Sequence, residues 1–291
     1  MRPRLLILGR GRLGRAVELA SPSYEVSCVT LPARSLLACT GDSWVKRLSI
    51  ILGKNKITHV FNTAAMTDVE ACNDRSKQAF ESNSQLPSAL SVLCQRMNIH
   101  FTHISTDQVY SGAGLSSESD TAPLNIYGLS KLSGDRVAHH NNALVLRTNY
   151  LGRSDVEGRL SLSDWAVGAY KHREQISLFD NIYFNPVSKA HLVRFLLSSL
   201  TLNITGIYNL GSKTGISKGL LISNLMSILE LDNPNARFSS YNFEDSNKGP
   251  FVALRPLDMR MGIEKTIADF AYWSPPTIEQ TIEEIAEEYV C

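Results

Sequence analysis

The 291 residues predict an α/β protein: a doubly wound parallel sheet followed by a smaller C-terminal lobe. The first observation is that short apolar runs, namely RLLIL, YEVSCVT, ITHVFNTAA, IHFTHIS and ALVLRTNYLG, alternate with helical stretches through the first half of the chain. The second is a glycine-rich turn, GRGRLG, that follows the first of these runs at once. The third is a change of character beyond residue 152, where polar loops separate shorter elements.

RLLIL over residues 4–8 reads as a buried strand and RAVELA as the start of a helix. Between them Gly9, Gly11 and Gly14 stand in G-x-G-x-x-G spacing. In that context the first glycine permits a tight turn and the second admits a pyrophosphate to the backbone. The third lets helix and strand pack closely, and the helix N-terminus faces the phosphates. This is the signature of a Rossmann dinucleotide site, to which Arg10, Arg12 and Leu13 belong by position. The next strand, residues 24–30, ends in VTLPARS without the acid that binds the ribose hydroxyls in NAD-specific units. Arg34 lies close by, and guanidinium groups without a carboxylate favour a 2′-phosphate. The cofactor expected is therefore NADPH, with NADH left open. Asp42 precedes the SWVKRLSIILGK helix as a cap or an adenine contact.

ITHVFNTAA, residues 57–65, ends in Asn62, Ala64 and Ala65, where open parallel sheets bind ligands. Two helices are expected next, with the break at Asn83 and Ser84 and Pro87 in a first turn. IHFTHIS then leads into Thr106 and Asp107, and after Pro123 comes YGLSK. Tyr127 and Lys131, four residues apart, share one helix face. A free tyrosine has a pKa of about 10. A nearby ammonium lowers it toward the working range, so the pair suits proton donation to a carbonyl. Thr106 could hold the carbonyl oxygen. Strand alternation turns Ser105 to the opposite face. His103 reads as a satisfied strand histidine. Tyr-x-x-x-Lys alone is more often a surface pair; the upstream dinucleotide turn changes that reading.

Beyond ALVLRTNYLG, residues 143–152, helices are expected around residues 165–172, in NPVSKAHLVRFLLSSL, in ISKGLLISNLMSILE and over Ile278–Val290, the last with a Thr277/Gln280 capping box. The dinucleotide-binding part is placed at residues 1–152, completed by part of 182–205. Residues 153–291 mainly form the substrate lobe, expected to cover the carboxyl edge of the sheet. Net charge is +1 without blocks of one sign, which argues against nucleic acid or a membrane surface as partner. Five cysteines, Cys28, Cys39, Cys72, Cys94 and Cys291, occur without Cys-x-x-Cys. Reduced thiols and a cytoplasmic location fit this better than a disulfide framework or a zinc site. No run reaches the roughly 18 apolar residues of a membrane span.

Six landmarks stand in order: GRGRLG, NTAAMTDVEAC, HISTDQVYSG, APLNIYGLSK, VLRTNYLG and LRPLDMRM. Together they resemble the extended short-chain dehydrogenase/reductases, and within them the dTDP-4-dehydrorhamnose reductases and related sugar-nucleotide reductases. The resemblance implies reduction of the keto group of a nucleotide-linked deoxysugar by a nicotinamide cofactor. It implies Tyr127 as proton donor, Lys131 as the residue that tunes it and bonds the nicotinamide ribose, and Thr106 as the hydroxyl. On the cofactor side it implies Gly9, Gly11, Gly14, Ala64 and Ala65, with Asn62 and Asn83 nearby. On the substrate side it implies Thr67, Val69, Asp107, Gln108, Asn149, Tyr150 and Arg255. Departures are a glycine turn one residue shorter than the family's frequent G-x-x-G-x-x-G, the missing aspartate after the second strand, and Tyr150 where tryptophan is common. Some members bind magnesium through glutamates; Ala16 stands where one would fall, so no metal is expected. A homodimer is left open. The resemblance extends to two rivals: a non-catalytic nucleotide-binding subunit like the beta subunit of methionine adenosyltransferase, and a sugar-nucleotide epimerase or dehydratase.

Overall fold

The computed structural model describes residues 2–33, 43–242 and 252–290. The chain divides into two compact units. The first comprises Met1–Thr106, Asn125–Arg147 and Val193–Tyr208; the second comprises Asp107–Leu124, Thr148–Leu192 and Asn209–Cys291.

Among the described residues, six strands form the main sheet: β1 (Arg4–Leu8), β2 (Ser27–Leu31), β3 (His59–Asn62), β4 (His100–Thr106), β5 (Leu144–Thr148) and, late in the chain, Gly206–Leu210. The last pairs with β5, giving the order Gly206–Leu210, β5, β4, β3, β1, β2. β1 pairs in parallel with both β2 and β3, and β3 in parallel with β4. The chain thus builds outward from β1 in one direction, then crosses to β3 and builds in the other. That reversal leaves a crevice at the carboxyl ends of β1 and β3, where doubly wound sheets take ligands.

Helices α1 (Arg12–Ala20), α2 (Ser43–Lys54), α3 (Val69–Asp74), α4 (Ser76–Phe80), α5 (Leu86–Arg96) and α6 (Ile126–His140) belong to the first unit. Leu5, Leu6, Ile7 and Leu8 are all fully buried, as a strand covered on both faces requires. Leu6 and Leu8 pack with Leu48 and Leu52 of α2, Leu90 and Leu93 of α5, and Phe101 of β4. Each such side chain contributes about 1.5–3 kcal/mol by leaving water.

The elements follow the sequence expectation with three corrections. The second strand starts at Ser27, because Ser21–Tyr24, with Pro22 in the first turn, forms a 3-10 turn and Glu25 closes it with φ 55°. The helical break falls at Arg75, not at Asn83 and Ser84, since the chain runs through Glu81–Gln85 as a π-type turn. The expected strand over residues 143–152 is divided. β5 ends at Thr148, and Tyr150–Leu151 pairs instead with Val187–Ser188. Asn149 causes the departure: its side-chain Nδ2 donates to Asp107 Oδ2 at 2.7 Å, and its backbone carbonyl accepts from the Val187 amide at 3.0 Å.

In the second unit, short two-stranded ladders frame helices Leu162–Lys171, Lys218–Ile228 and Ile278–Val290. Its core gathers Phe184, Ile222, Leu225, Ile282 and Ile285. The capping box of the last helix is present in both directions, Thr277 N to Gln280 Oε1 at 2.9 Å and Gln280 N to Thr277 Oγ1 at 3.2 Å. No helix among the described residues is long and apolar enough to cross a membrane.

Candidate active site

The register pairs Leu8 with Asn62, so the turn after β1 lies beside the segment after β3. Gly9 has φ 117°, in the left-handed region, and its amide donates to the Leu31 carbonyl at 2.9 Å. A Cβ at Gly14 would lie 2.0 Å from the Gly9 carbonyl oxygen, so helix and turn touch through backbone alone. Gly11 caps α1 without a side chain, so no capping side chain stands between the helix N-terminus and an incoming anion. Arg10 is exposed, Arg12 half-buried and Leu13 buried. Asn62 Oδ1 accepts from the Ala64 amide at 3.2 Å and braces the two small residues Ala64 and Ala65. These features fit a dinucleotide diphosphate. Arg34 and Asp42 lie outside the described residues.

α6 starts where the Asn125 side chain accepts from the Gly128 amide at 2.9 Å. That start places Tyr127 and Lys131 one turn apart. Tyr127 is buried with Cys72 and Ala79, against Met66, Val69 and Ile126. Lys131 is 1% exposed, and its Nζ donates to the Ile104 carbonyl at 2.6 Å and lies 3.2 Å from His103 Nε2. Burial pushes the Lys131 ammonium down to about 8, against the opposing pull of Asp135. Burial, and then the charge of Lys131, hold His103 well below the ordinary imidazole value. Thr106 is buried as the last residue of β4. Ser105 turns away from it and donates to Asp135 Oδ2 at 2.8 Å.

Asp135 and Arg147 escape a reading of motifs. Arg147 Nε donates to Asp135 Oδ2 at 3.0 Å, and both side chains are wholly buried. Two signals point to them. Asp135 is four residues beyond Lys131 on the same helix, and Arg147 is a charge inside an apolar strand, where it needs a partner. Asn83 accepts from the Met66 amide at 2.8 Å and donates to the Met66 carbonyl at 2.9 Å and to Ser130 Oγ at 3.1 Å. It thereby fixes the loop after β3 to α6. Thr67 is exposed, and Val69 opens α3 behind its Asp68 cap.

In the second unit, Asp107 and Gln108 occupy a buried 3-10 turn, and Asp107 holds Asn149. Tyr150 and Arg255 are half-buried. Lys218, which sequence reasoning missed, joins Asp107 and Arg255. Burial lowers its pKa, Asp107 opposes that, and Arg255 adds to it. Its Nζ stands 5.7 Å from the centre of the Phe184 ring. Nothing in the sequence around Lys218 marks it, since its partners are remote along the chain. Among the described residues, no group of three or more His, Cys, Asp or Glu side chains could hold a metal ion. A cavity of about 500 Å³ opens at the amino ends of β3 and β4, lined by His59 and His100 among others. It lies at the opposite ends of those strands from the glycine turn.

Residues 3–291 match the family described as the RmlD substrate binding domain. A dTDP-4-dehydrorhamnose reductase of Sinorhizobium fredii is 25% identical over 274 residues, covering 91% of this chain and 86% of that protein. A protein of Haloferax volcanii named as a probable low-salt glycan biosynthesis reductase is 27% identical over 179 residues, which span only 59% of this chain and 60% of that relative. The crystal structure of dTDP-4-dehydrorhamnose reductase from Bacillus anthracis, in complex with NADP, superposes with a TM-score of 0.87 at 21% identity, over 99% of this chain and 100% of that one. That likeness establishes the doubly wound fold.

Proposed function

Because this chain belongs to the family of the RmlD substrate binding domain, matched over residues 3–291, we propose that it is an NADPH-dependent reductase of the keto group of a nucleotide-linked deoxysugar. dTDP-4-dehydrorhamnose, named in its relatives, is the first substrate to try. The observation that carries the proposal is a buried amine, Lys131, one turn from Tyr127 and bonded to the end of the strand that finishes in Thr106.

NADPH, when bound, supplies a hydride to the carbonyl carbon. Tyr127 gives its phenolic proton to the carbonyl oxygen. Lys131, when charged, favours the phenolate left behind. The Thr106 hydroxyl donates to the same oxygen and stabilises the charge that develops on it. Gly9, Gly11 and Gly14 admit the diphosphate to the N-terminus of α1, and Asn62 holds Ala64 and Ala65 back from it. Asp107, Gln108, Asn149, Tyr150, Lys218 and Arg255 are assigned to the sugar nucleotide, whose diphosphate suits the two cations. The five cysteines need no partner for this chemistry, and a reducing cytoplasm suits them.

The test is a panel of 4-keto-6-deoxysugar nucleotides with NADPH and with NADH, followed by the loss of reduced-nicotinamide absorbance. Turnover is expected with NADPH, and Tyr127→Phe should lower kcat by about 10²–10⁴-fold with little loss of NADPH binding. A Tyr127→Phe variant with near-normal turnover would remove Tyr127 from its role. Absence of turnover on every sugar, with a stoichiometric protein partner, would replace the proposal with the regulatory-subunit reading.

A further inference from the structure

Lys131 is held by groups whose own hydrogen bonds fix where the protons lie. Asn62 Oδ1 accepts from the Ala64 amide at 3.2 Å, so the nitrogen end of that side chain faces His103 Nδ1, at 3.1 Å. An amide nitrogen only donates, which makes Nδ1 the accepting nitrogen of the ring. A neutral imidazole then carries its hydrogen on Nε2. Complete burial and the neighbouring lysine keep the ring neutral. Two groups face that hydrogen: Lys131 Nζ at 3.2 Å and Asp135 Oδ1 at 3.7 Å. Asp135 Oδ2 is taken by Ser105 and Arg147, but Oδ1 is buried without a hydrogen bond. A buried carboxylate oxygen lacking a donor calls for an explanation. An ammonium cannot accept from Nε2–H, whereas a neutral amine can.

We propose that His103 is a positioning residue for Lys131: fixed as the Nε2–H tautomer by Asn62, it donates to the lysine nitrogen when the amine is neutral and to Asp135 Oδ1 when the amine is charged. Lys131 then keeps its place in both states, with the Ile104 carbonyl as its constant tether. No N–H bond breaks in the exchange; only the hydrogen-bond partner changes. The titratable groups around Lys131 are His103 from β4, Asp135 and Tyr127 from its own helix, and Arg147 of β5 behind Asp135. The functional meaning rests on the proposed role of Lys131 beside Tyr127; the tautomer does not.

The experiment is nitrogen NMR of the full chain labelled with ¹⁵N-histidine, recorded across neutral to alkaline pH. His103 is identified by its absence from His103→Gln, or by backbone-to-side-chain correlation if that variant fails to fold. The Nε2–H tautomer is expected throughout. Its Nε2 resonance should step with a midpoint at the Lys131 value of about 8, and Lys131→Met should abolish the step. An Nδ1–H tautomer, a ring that titrates at the ordinary histidine value, or an Nε2 resonance that stays flat overturns the inference. A Tyr127→Phe variant that kept its turnover would strike at the catalytic reading alone and leave these signals unmoved.

Discussion

A Cβ at Gly9 would sit 2.7 Å from Thr63 Oγ1 and 2.9 Å from the Ala64 amide nitrogen, on a backbone with φ 117°. Gly9→Ala therefore meets two costs, a conformation that L side chains rarely adopt and a displacement of the segment after β3. Strain of this kind costs about 1–3 kcal/mol. Much of it would be relieved by moving the turn away from the N-terminus of α1, so a loss of NADPH affinity of at least about tenfold is expected, about 1.4 kcal/mol. Titration calorimetry on the folded variant checks this; an unchanged Kd would mean that the cofactor lies elsewhere. Gly9, Tyr127 and Lys131 are legible in the sequence because each acts through a spacing of a few residues. His103 is only half legible. Its burial follows from its strand, but its contact with Lys131 joins positions 28 residues apart. Lys218 is not legible at all, because Asp107 and Arg255 reach it only through the fold.

Elements show the same division between local and remote causes. The last helix can be read from its Thr277/Gln280 box, because caps are local hydrogen bonds; the Asn125 cap that starts α6 is equally local, though motif reading passes over it. The path through Glu81–Gln85 cannot, because remote contacts impose it: Asn83 bonds to Met66 and Ser130, and a Cβ at Gly134 of α6 would lie 2.3 Å from the Asn83 carbonyl oxygen. The packing of α6 against this turn sets how far Tyr127 and Lys131 stand from β4. Gly134→Ala forces the two elements apart, and overpacking of this kind costs about 1–3 kcal/mol. The higher helix propensity of alanine returns up to about 1 kcal/mol. The variant is expected to melt at lower temperature and to lose kcat in greater proportion than NADPH affinity, since the glycine turn is untouched. Calorimetry together with steady-state kinetics checks both. A variant as stable and as active as the parent would show that this helix contact is slack.

Across the molecule, the order of six landmarks made fold and family legible, but acid sensitivity depends on burial that no motif records. His59, His100 and His103 lie at neighbouring positions on β3 and β4, with His59 paired to His100 and Asn62 to His103. Burial lowers all three: His103 well below the ordinary value, with Lys131 adding to the effect, and His59 to about 4, with His100 adding to the effect and a backbone carbonyl at Leu200 opposing it. An unfolded chain returns each ring to about 6.5. Between those values the unfolded state binds more protons than the folded one, so stability is full above about pH 6.5 and declines as pH falls toward the folded values. Asp164 and Asp258 have depressed carboxyl values and lose their stabilisation only further into acid. The net charge of +1 at pH 7 adds little self-repulsion at the start of this decline. The midpoint of urea unfolding should therefore fall between about pH 6.5 and about pH 5, with proton uptake on unfolding shared by the three rings. His59→Phe should flatten the decline in part, because His103 remains sealed between Asn62 and Lys131. A midpoint that does not move over this range would mean that these imidazoles are as free to take a proton in the folded protein as in the open chain.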